Sequence, residues 1–255
     1  MDELCALLFE LSNEDRLNIL RELKKKPMKL SRVSERFNFT VPETARNMTR
    51  LAEADLIAKG VDGYFHLTPI GEAILQFIPS FEFISSNRKY FKTHTFSVLP
   101  TEFAASIGAL RKSEYVNGVT EMLFNAENAV KESREFMWII VDQILPSSLP
   151  FFLEAIARGV EVRKLMPRNA VIPPAILELA NDPAFDRAAR AKKAESRYLD
   201  TIGIFMFLSE KELAGIGFAN LEGIFDYGSF RSRDETALKW AKSLFLHYWG
   251  KAKRE

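Results

Sequence analysis

FTVPETARNMTRL, residues 39–51, decides how the first third of the chain is read. Thr40, with Glu43 three positions later, matches a reciprocal capping box: the hydroxyl accepts from one orphan amide and the carboxylate reaches back to another. Pro42 falls in the first turn, where a missing amide hydrogen costs little. A helix is therefore predicted from here to about Asp55. On it Val41, Ala45, Met48 and Ala52 form one stripe with Leu51 beside them, while Glu43, Arg46, Asn47 and Arg50 form the other. The first stripe is expected to face a core and the second a polar partner.

The neighbouring sequence reads as short helices and a hairpin. Residues 3–11 form an apolar helix. Ser12 or Asn13 caps the next, which has Glu14 and Asp15 at its positive end and Lys24 to Lys26 at its negative end before Pro27. Its expected core stripe is Leu17, Leu20 and Leu23. LSRVSERF, 30–37, is a shorter helix burying Leu30, Val33 and Phe37. After the opening helix, LIAKG and GYFHL form a small hairpin in which Gly63 can take a positive φ. Another helix starts near Pro69, capped by Thr68.

At 255 residues and 47% hydrophobic content, the chain can bury a real core in one large or two ordinary domains. No run of about 18 consecutive apolar residues exists, and MDELCALLFEL carries acids where a secretory signal carries Lys or Arg. A cytoplasmic protein without membrane association is expected. The single Cys5 makes no internal disulfide, and one Cys with three scattered His does not build a tetrahedral metal site, so neither metal nor cofactor is expected. The net charge is +1, yet residues 16–50 carry ten basic side chains against three acidic ones. That island suits a phosphate-facing surface or a set of solvated helix faces.

The order helix, helix, turn, helix, hairpin is carried by SNEDRLNILRELKKKPMKLSRVSERFNFTVPETARNMTRLAEADLIAKGVDGYFHLTPIG, 12–71. This stretch resembles the winged helix-turn-helix regulators of the ArsR-like group. The resemblance implies that LSRVSERF crosses a DNA backbone, VPETARNMTRLAEA enters the major groove and AKGVDGYF is the wing. The residues then expected at duplex DNA are Pro42, Glu43, Thr44, Arg46, Asn47, Thr49 and Arg50 from the groove helix. Lys29 and Arg32 join them at the supporting helix, and Lys59 and Tyr64 at the wing. Chemically, an Arg can grip a guanine edge bidentately, Asn47 can read adenine, and Thr44 and Thr49 can bond phosphate. Read without the resemblance, Arg46 and Arg50 could instead pair with Glu43 and Glu53 on a solvated surface.

Residues 79–114 are expected as a linker or dimerisation segment, broken at Pro79 and Pro100 and ending in a helix, TEFAASIGALRK. From Tyr115 the pattern becomes α/β. NGVTEMLFNAENAVKESRE reads as a helix, FMWIIV as a buried strand, PSSLPFFLEAIARG as a helix and VEVRKLM as a strand. A Pro-punctuated helical insert follows at 172–194, then strand candidates SRYLD, GIFMFLS, LAGIGFA and IFDYG, and a closing helix, DETALKWAKSLFLHYWGKAKR. FMWIIVD, GVEVRKLMP, GIFMFLSEKELAGIGF and ALKWAKSLFLHYW resemble the C-terminal domain of archaeal methanogenesis regulators of the FilR type, which is related to the phospholipase-D-like fold. The expected architecture is α/β overall: a winged helix over 1–78, the linker over 79–114, and an α/β effector-sensing or oligomerisation domain over 115–255.

Phospholipase-D-type hydrolysis needs a His two positions before a Lys. The three histidines begin His66-Leu67-Thr68, His94-Thr95-Phe96 and His247-Tyr248-Trp249, so that chemistry does not carry over, and no catalytic residue is assigned. Trp138, Asp142, Lys164, Met166, Arg197, Asp200, Phe205, Phe218, Asp226 and Tyr227 lie at or near predicted strand ends, where ligands sit in open α/β sheets. An anionic effector held by Lys164 and Arg197 and stacked on Trp138 or Tyr227 is the expected ligand; the alternative is that these aromatics are core and the charges are paired. Together these readings imply a DNA-binding transcriptional regulator acting as a homodimer, in which symmetric half-sites extend a short recognition helix. The rivals are a protein-interaction adaptor whose winged helix does not bind DNA, and a phosphodiester hydrolase.

Overall fold

In the computed structural model, which describes residues 2–143, 146–170, 173, 174, 183, 187, 191 and 193–254, three of the first four helices carry a side-chain cap at their N-terminus. Asp2 caps α1 (Glu3–Leu11), Asn13 caps α2 (Glu14–Lys25), and Thr40 caps α4 (Val41–Glu53) with both capping-box bonds to Glu43 formed. Between them α3 (Leu30–Phe37) ends at Asn38, whose φ of 56° turns the chain toward α4. The Ser34 hydroxyl donates to the Phe39 carbonyl and fastens that turn.

The antiparallel hairpin of β1 (Ile57–Lys59) and β2 (Phe65–Leu67) follows, with Gly63 at a φ of 80°. Then comes α5 (Pro69–Ser86). In the LTPIG stretch the Thr68 amide donates to the Leu56 carbonyl and its hydroxyl accepts from the Gly71 amide. A Cβ on Gly71 would stand 2.2 Å from that same Leu56 carbonyl oxygen, so the backbone approach requires glycine. Ile19, Leu20, Leu23, Val33, Met48 and Leu51 fill the core of this first unit, which spans Met1–Pro79. Leu17 and Phe37, expected inside, lie at its border.

The second unit, Ser80–Glu255, is built on a seven-stranded sheet in the order β3-β9-β8-β7-β4-β5-β6. Its strands are β3 (Glu114–Val116), β4 (Phe136–Ile140), β5 (Glu161–Pro167), β6 (Ala194–Leu199), β7 (Ile204–Ser209), β8 (Leu213–Phe218) and β9 (Ser229–Ser232). β4, β5 and β6 are parallel, and the other pairings are antiparallel. On the outer side of β6, Tyr198 exchanges both backbone hydrogen bonds with Lys253.

Each face of this sheet has its own core. One is covered by α7 (Val119–Glu132) and α8 (Leu149–Ala157), which enclose Ile139, Val162, Met166, Phe205 and Phe207. The other is covered by α9 (Glu235–Lys251) through Trp240, Leu244 and Phe245. Residues expected as a linker complete this second core: Phe83, Tyr90, Leu99, Phe103, Ile107 and Leu110 are buried in it, with a short α6 (Thr101–Ala105) among them. Aromatic side chains are too costly to leave in water when a sheet face is available. Pro79 interrupts no helix, being inside α5.

Two strand assignments also differ. Glu114–Val116, given no strand in the sequence reading, pairs with β9 as an edge strand. IFDYG, read as a strand, is a loop: Asn220 accepts from the amides of Glu222 and Ile224, Asp226 accepts from Gly228, and Tyr227 takes a φ of 62°. Such side-chain turns offer the backbone partners that a ladder would otherwise supply. The expected helical insert at 172–194 lies largely outside the described residues.

Candidate nucleic-acid interface and effector pockets

Helix α4 is rotated relative to the expected stripes. Thr44, Asn47, Met48 and Leu51 form its buried face, whereas Val41 is exposed and Ala45 and Ala52 are half-buried. The Thr44 hydroxyl donates to the Thr40 carbonyl at 2.9 Å, so its oxygen is satisfied within the helix and burying it costs little. The two alanines lose little apolar burial by facing outward. Thr44 and Asn47, expected at DNA, are thereby removed from the exposed side. Val41, expected in the core, joins Pro42, Arg46 and Thr49 on the exposed side, with Glu43 half-buried beside them.

The paired arginines have different fates. Arg50 forms a bidentate ion pair with Glu10 of α1, at 3.0 and 2.7 Å, and its guanidinium lies over the Phe9 ring. The alternative pairing with Glu43 or Glu53 is not the one formed. Arg16, buried, donates to the Phe9 and Glu10 carbonyls at the end of α1 and meets the Glu10 carboxylate at 3.0 Å. These two members of the basic island hold α1 in place. The Arg50 guanidinium, followed by the Arg16 charge, outweighs partial burial and holds the Glu10 carboxyl below the usual glutamate range. A carboxyl depressed on folding adds stability above its unfolded pKa and loses it as pH falls through the folded value. Glu10→Gln is therefore expected to lower the melting midpoint of the first unit at neutral pH, with the difference from wild type vanishing in acid. Circular dichroism melts across pH check this.

Other cations are also tied. Lys25 and Arg36 pair with Glu22, and Arg32 pairs with Glu35 at an exposed site. Arg46, Lys24, Lys26, Lys29 and Lys59 form no ion pair among the described residues. The Lys29 ammonium rests 5.0 Å from the Tyr64 ring, bringing the start of α3 beside the hairpin, and Lys59 lies over Phe65.

The ten residues expected near an effector do not converge. Side chains alternate across the sheet, and Lys164 is aligned with Ser196 while Arg197 is aligned with Leu165, so the two cations occupy opposite faces. A single anionic ligand cannot bridge them. Arg197 is already paired with Glu195 at 2.7 Å, donates to the Trp249 carbonyl and stacks on Trp249. Trp138 donates to Glu161 and stacks on Phe245, and Phe218 is buried on the same face. Met166 and Phe205 are core residues of the opposite face. Burial pushes the Lys164 ammonium down to about 8.

Asp142 and Asp200 do line a cleft of about 460 Å³ where β4 and β5 end, with Pro167, Asn169 and Thr201. Asp200 pairs with Arg168. No histidine lines that cleft. His94 is stacked under Tyr90 with Nε2 3.1 Å from Asp226, and His247 faces Glu102. Among the described residues, no cluster of His, Cys, Asp and Glu is placed to hold a metal ion, and no helix is long and apolar enough to cross a membrane.

A second cavity, of about 150 Å³, is enclosed between α7, α8 and the sheet by Met122, Ala126, Ile139, Phe151, Phe152 and Phe207, with Tyr227 and Gln143 at one end. Of the residues expected at a ligand, Tyr227 alone lines it. Its hydroxyl donates to Asp142 at 3.0 Å and accepts from the Gln143 amide. Burial pushes that hydroxyl up to about 12, so it remains a donor at neutral pH. The aromatic part of this lining was hidden in the sequence because α8 supplies Phe151 and Phe152, β7 supplies Phe207 and a later loop supplies Tyr227, far apart along the chain.

No curated protein matches the chain in sequence. Among solved structures, it is similar to TrmBL2, an archaeal chromatin protein described as binding DNA, at 15% identity and a TM-score of 0.44, covering 95% of this chain and 94% of that one. It is also similar to Nuc of Salmonella typhimurium, a phospholipase D family member, at 9% identity and a TM-score of 0.40, and to NucT of Helicobacter pylori, at 11% and 0.41. Each of these covers 56% of this chain and 99% of its own. Residues 119–251, from the first residue of α7 to the last of α9, match the middle domain of the methanogenesis regulatory protein FilR1. The match takes in more than half of the chain, which therefore belongs to the FilR1 middle-domain family.

Proposed function

We propose that this chain is a transcriptional regulator that binds specific duplex DNA through its first unit, acts as a homodimer and answers to an effector at its second. The observation that carries the reading is Arg46: it stands exposed and, among the described residues, without an ion pair on α4, while its neighbour Arg50 is bound to Glu10. A guanidinium held ready on an exposed helix following a turn is suited to a guanine edge. Val41, next to it in exposure, offers a methyl surface to thymine, and Thr49 offers a hydroxyl to phosphate. Lys29 and Lys59 with Tyr64 supply backbone contacts from beside the helix. Support for the dimer comes from α1, which buries no residue and exposes Leu4, Leu8 and Phe9.

Arg46→Ala is expected to weaken binding to the cognate site by about 1–3 kcal/mol and to relax its preference over random duplex. Lys29→Ala is expected to weaken both about equally and to flatten the salt dependence. Selection of a site from genomic fragments, then footprinting and titration at several salt concentrations, measures these effects. Protection of two half-sites spaced by about one helical turn is expected of a dimer. Wild-type affinity and preference in Arg46→Ala would overturn the groove assignment. Binding of no duplex at any salt concentration would favour the adaptor.

A further inference from the structure

The cavity between α7, α8 and the sheet has a directional chemistry. Its inner wall, at Met122, Ala126, Ile139 and Phe207, is apolar and buried, and it extends outward to Gln143, which is exposed. A cavity of roughly 150 Å³ with such a lining admits guests the size of benzene. The polar groups gather at the outer end, where Gln143 retains a second amide N–H and its carbonyl after donating to Tyr227. Asp142 stands behind Tyr227, Glu127 lines the wall, and no Lys or Arg lines it among the described residues.

An anionic guest would meet carboxylates with no cation lining the cavity among the described residues, which burial makes costly. The loop carrying Tyr227 is itself unusual. A bulky residue at a φ of 62° is disfavoured, and it persists here with its hydroxyl fixed between two partners.

We propose that this cavity binds a small, uncharged aromatic compound bearing a single hydroxyl or amino group, of the phenol or arylamine class, with its ring against Ile139 and Phe207 and its polar group at Gln143. The proposal rests on the regulatory reading above in naming this compound as the effector. It replaces the anionic effector expected from Lys164 and Arg197.

The test uses the full chain without DNA, with phenol, aniline, toluene and benzoate as probes in calorimetric titrations and thermal shifts. Phenol, aniline and toluene are expected to bind and to raise the melting midpoint, and benzoate is not. Ala126→Leu fills the inner end and is expected to abolish binding of all three. Gln143→Leu, at an exposed position, is expected to weaken phenol by about tenfold and leave toluene unchanged, the loss expected of one hydrogen bond. Tryptophan fluorescence confirms that both variants are folded. Failure of phenol, aniline and toluene to bind wild type, or equal binding to the filled variant, would overturn the site. Benzoate binding as tightly as phenol would overturn the charge argument. Adding phenol to the DNA titration then separates the two readings. A shift in operator affinity supports the effector role, while binding without any shift overturns that role and leaves DNA recognition standing.

Discussion

Replacing Arg231 and Arg233 together with methionine is expected to destabilise the second unit by about 3–5 kcal/mol, the cost of leaving a buried charge without its partners. Glu212 sits at the turn between β7 and β8 with its side chain only 3% exposed, and one carboxylate oxygen receives both guanidinium groups, at 2.8 and 3.0 Å. Arg231 also donates to Asn125 of α7. The cluster thus joins a hairpin turn, the strand beside it and a covering helix. Arg233 is mostly exposed and alone contributes little. Losing either arginine is expected to cost less than half the effect of losing both, because the remaining one still neutralises the acid. Adding Glu212→Met to the double variant is expected to recover most of the loss by removing the stranded charge. All three tryptophans, Trp138, Trp240 and Trp249, lie in this unit, so fluorescence during denaturant unfolding reads it directly. A double variant as stable as wild type would show that the cluster carries no net stabilisation.

Gly71→Ala is expected to destabilise the first unit by about 3 kcal/mol, at the upper end for an overpacked site. The added methyl would collide with the Leu56 carbonyl, which is backbone and is already engaged by the Thr68 amide. No rotamer change relieves that contact. The junction of α4, the hairpin and α5 must open instead, and the arrangement that presents Arg46 is lost with it. Amide exchange in residues 15–67 is expected to accelerate and cognate DNA affinity to fall by more than tenfold, while the tryptophan transition stays at its wild-type midpoint. Wild-type exchange in Gly71→Ala would remove the steric account of this position.

Much of this architecture could be read from local chemistry. The capping box at Thr40 and Glu43, the positive φ at Gly63 and the apolar runs that become β4, β5, β7 and β8 each depend on residues close in sequence. Features set by distant partners were less legible. The orientation of α4 depends on Glu10, forty positions away from Arg50, and on a threonine that satisfies its own hydroxyl and so passes for a core residue. The aromatic run after Pro79 resembles a linker until the face of a sheet formed much later in the chain is present to bury it. For ligands the sequence showed which residues stand near strand ends, but two faces of one sheet cannot be separated without the register that puts Lys164 and Arg197 back to back.

The short backbone exchange between Tyr198 and Lys253 bears on how such a molecule behaves at high concentration. An outermost strand with vacant amides and carbonyls invites its counterpart from an adjacent molecule. By setting Lys253 against Tyr198 near the end of β6, the protein occupies part of the edge an intruder would take. Neighbours can then associate through chosen surfaces instead of fusing sheet to sheet.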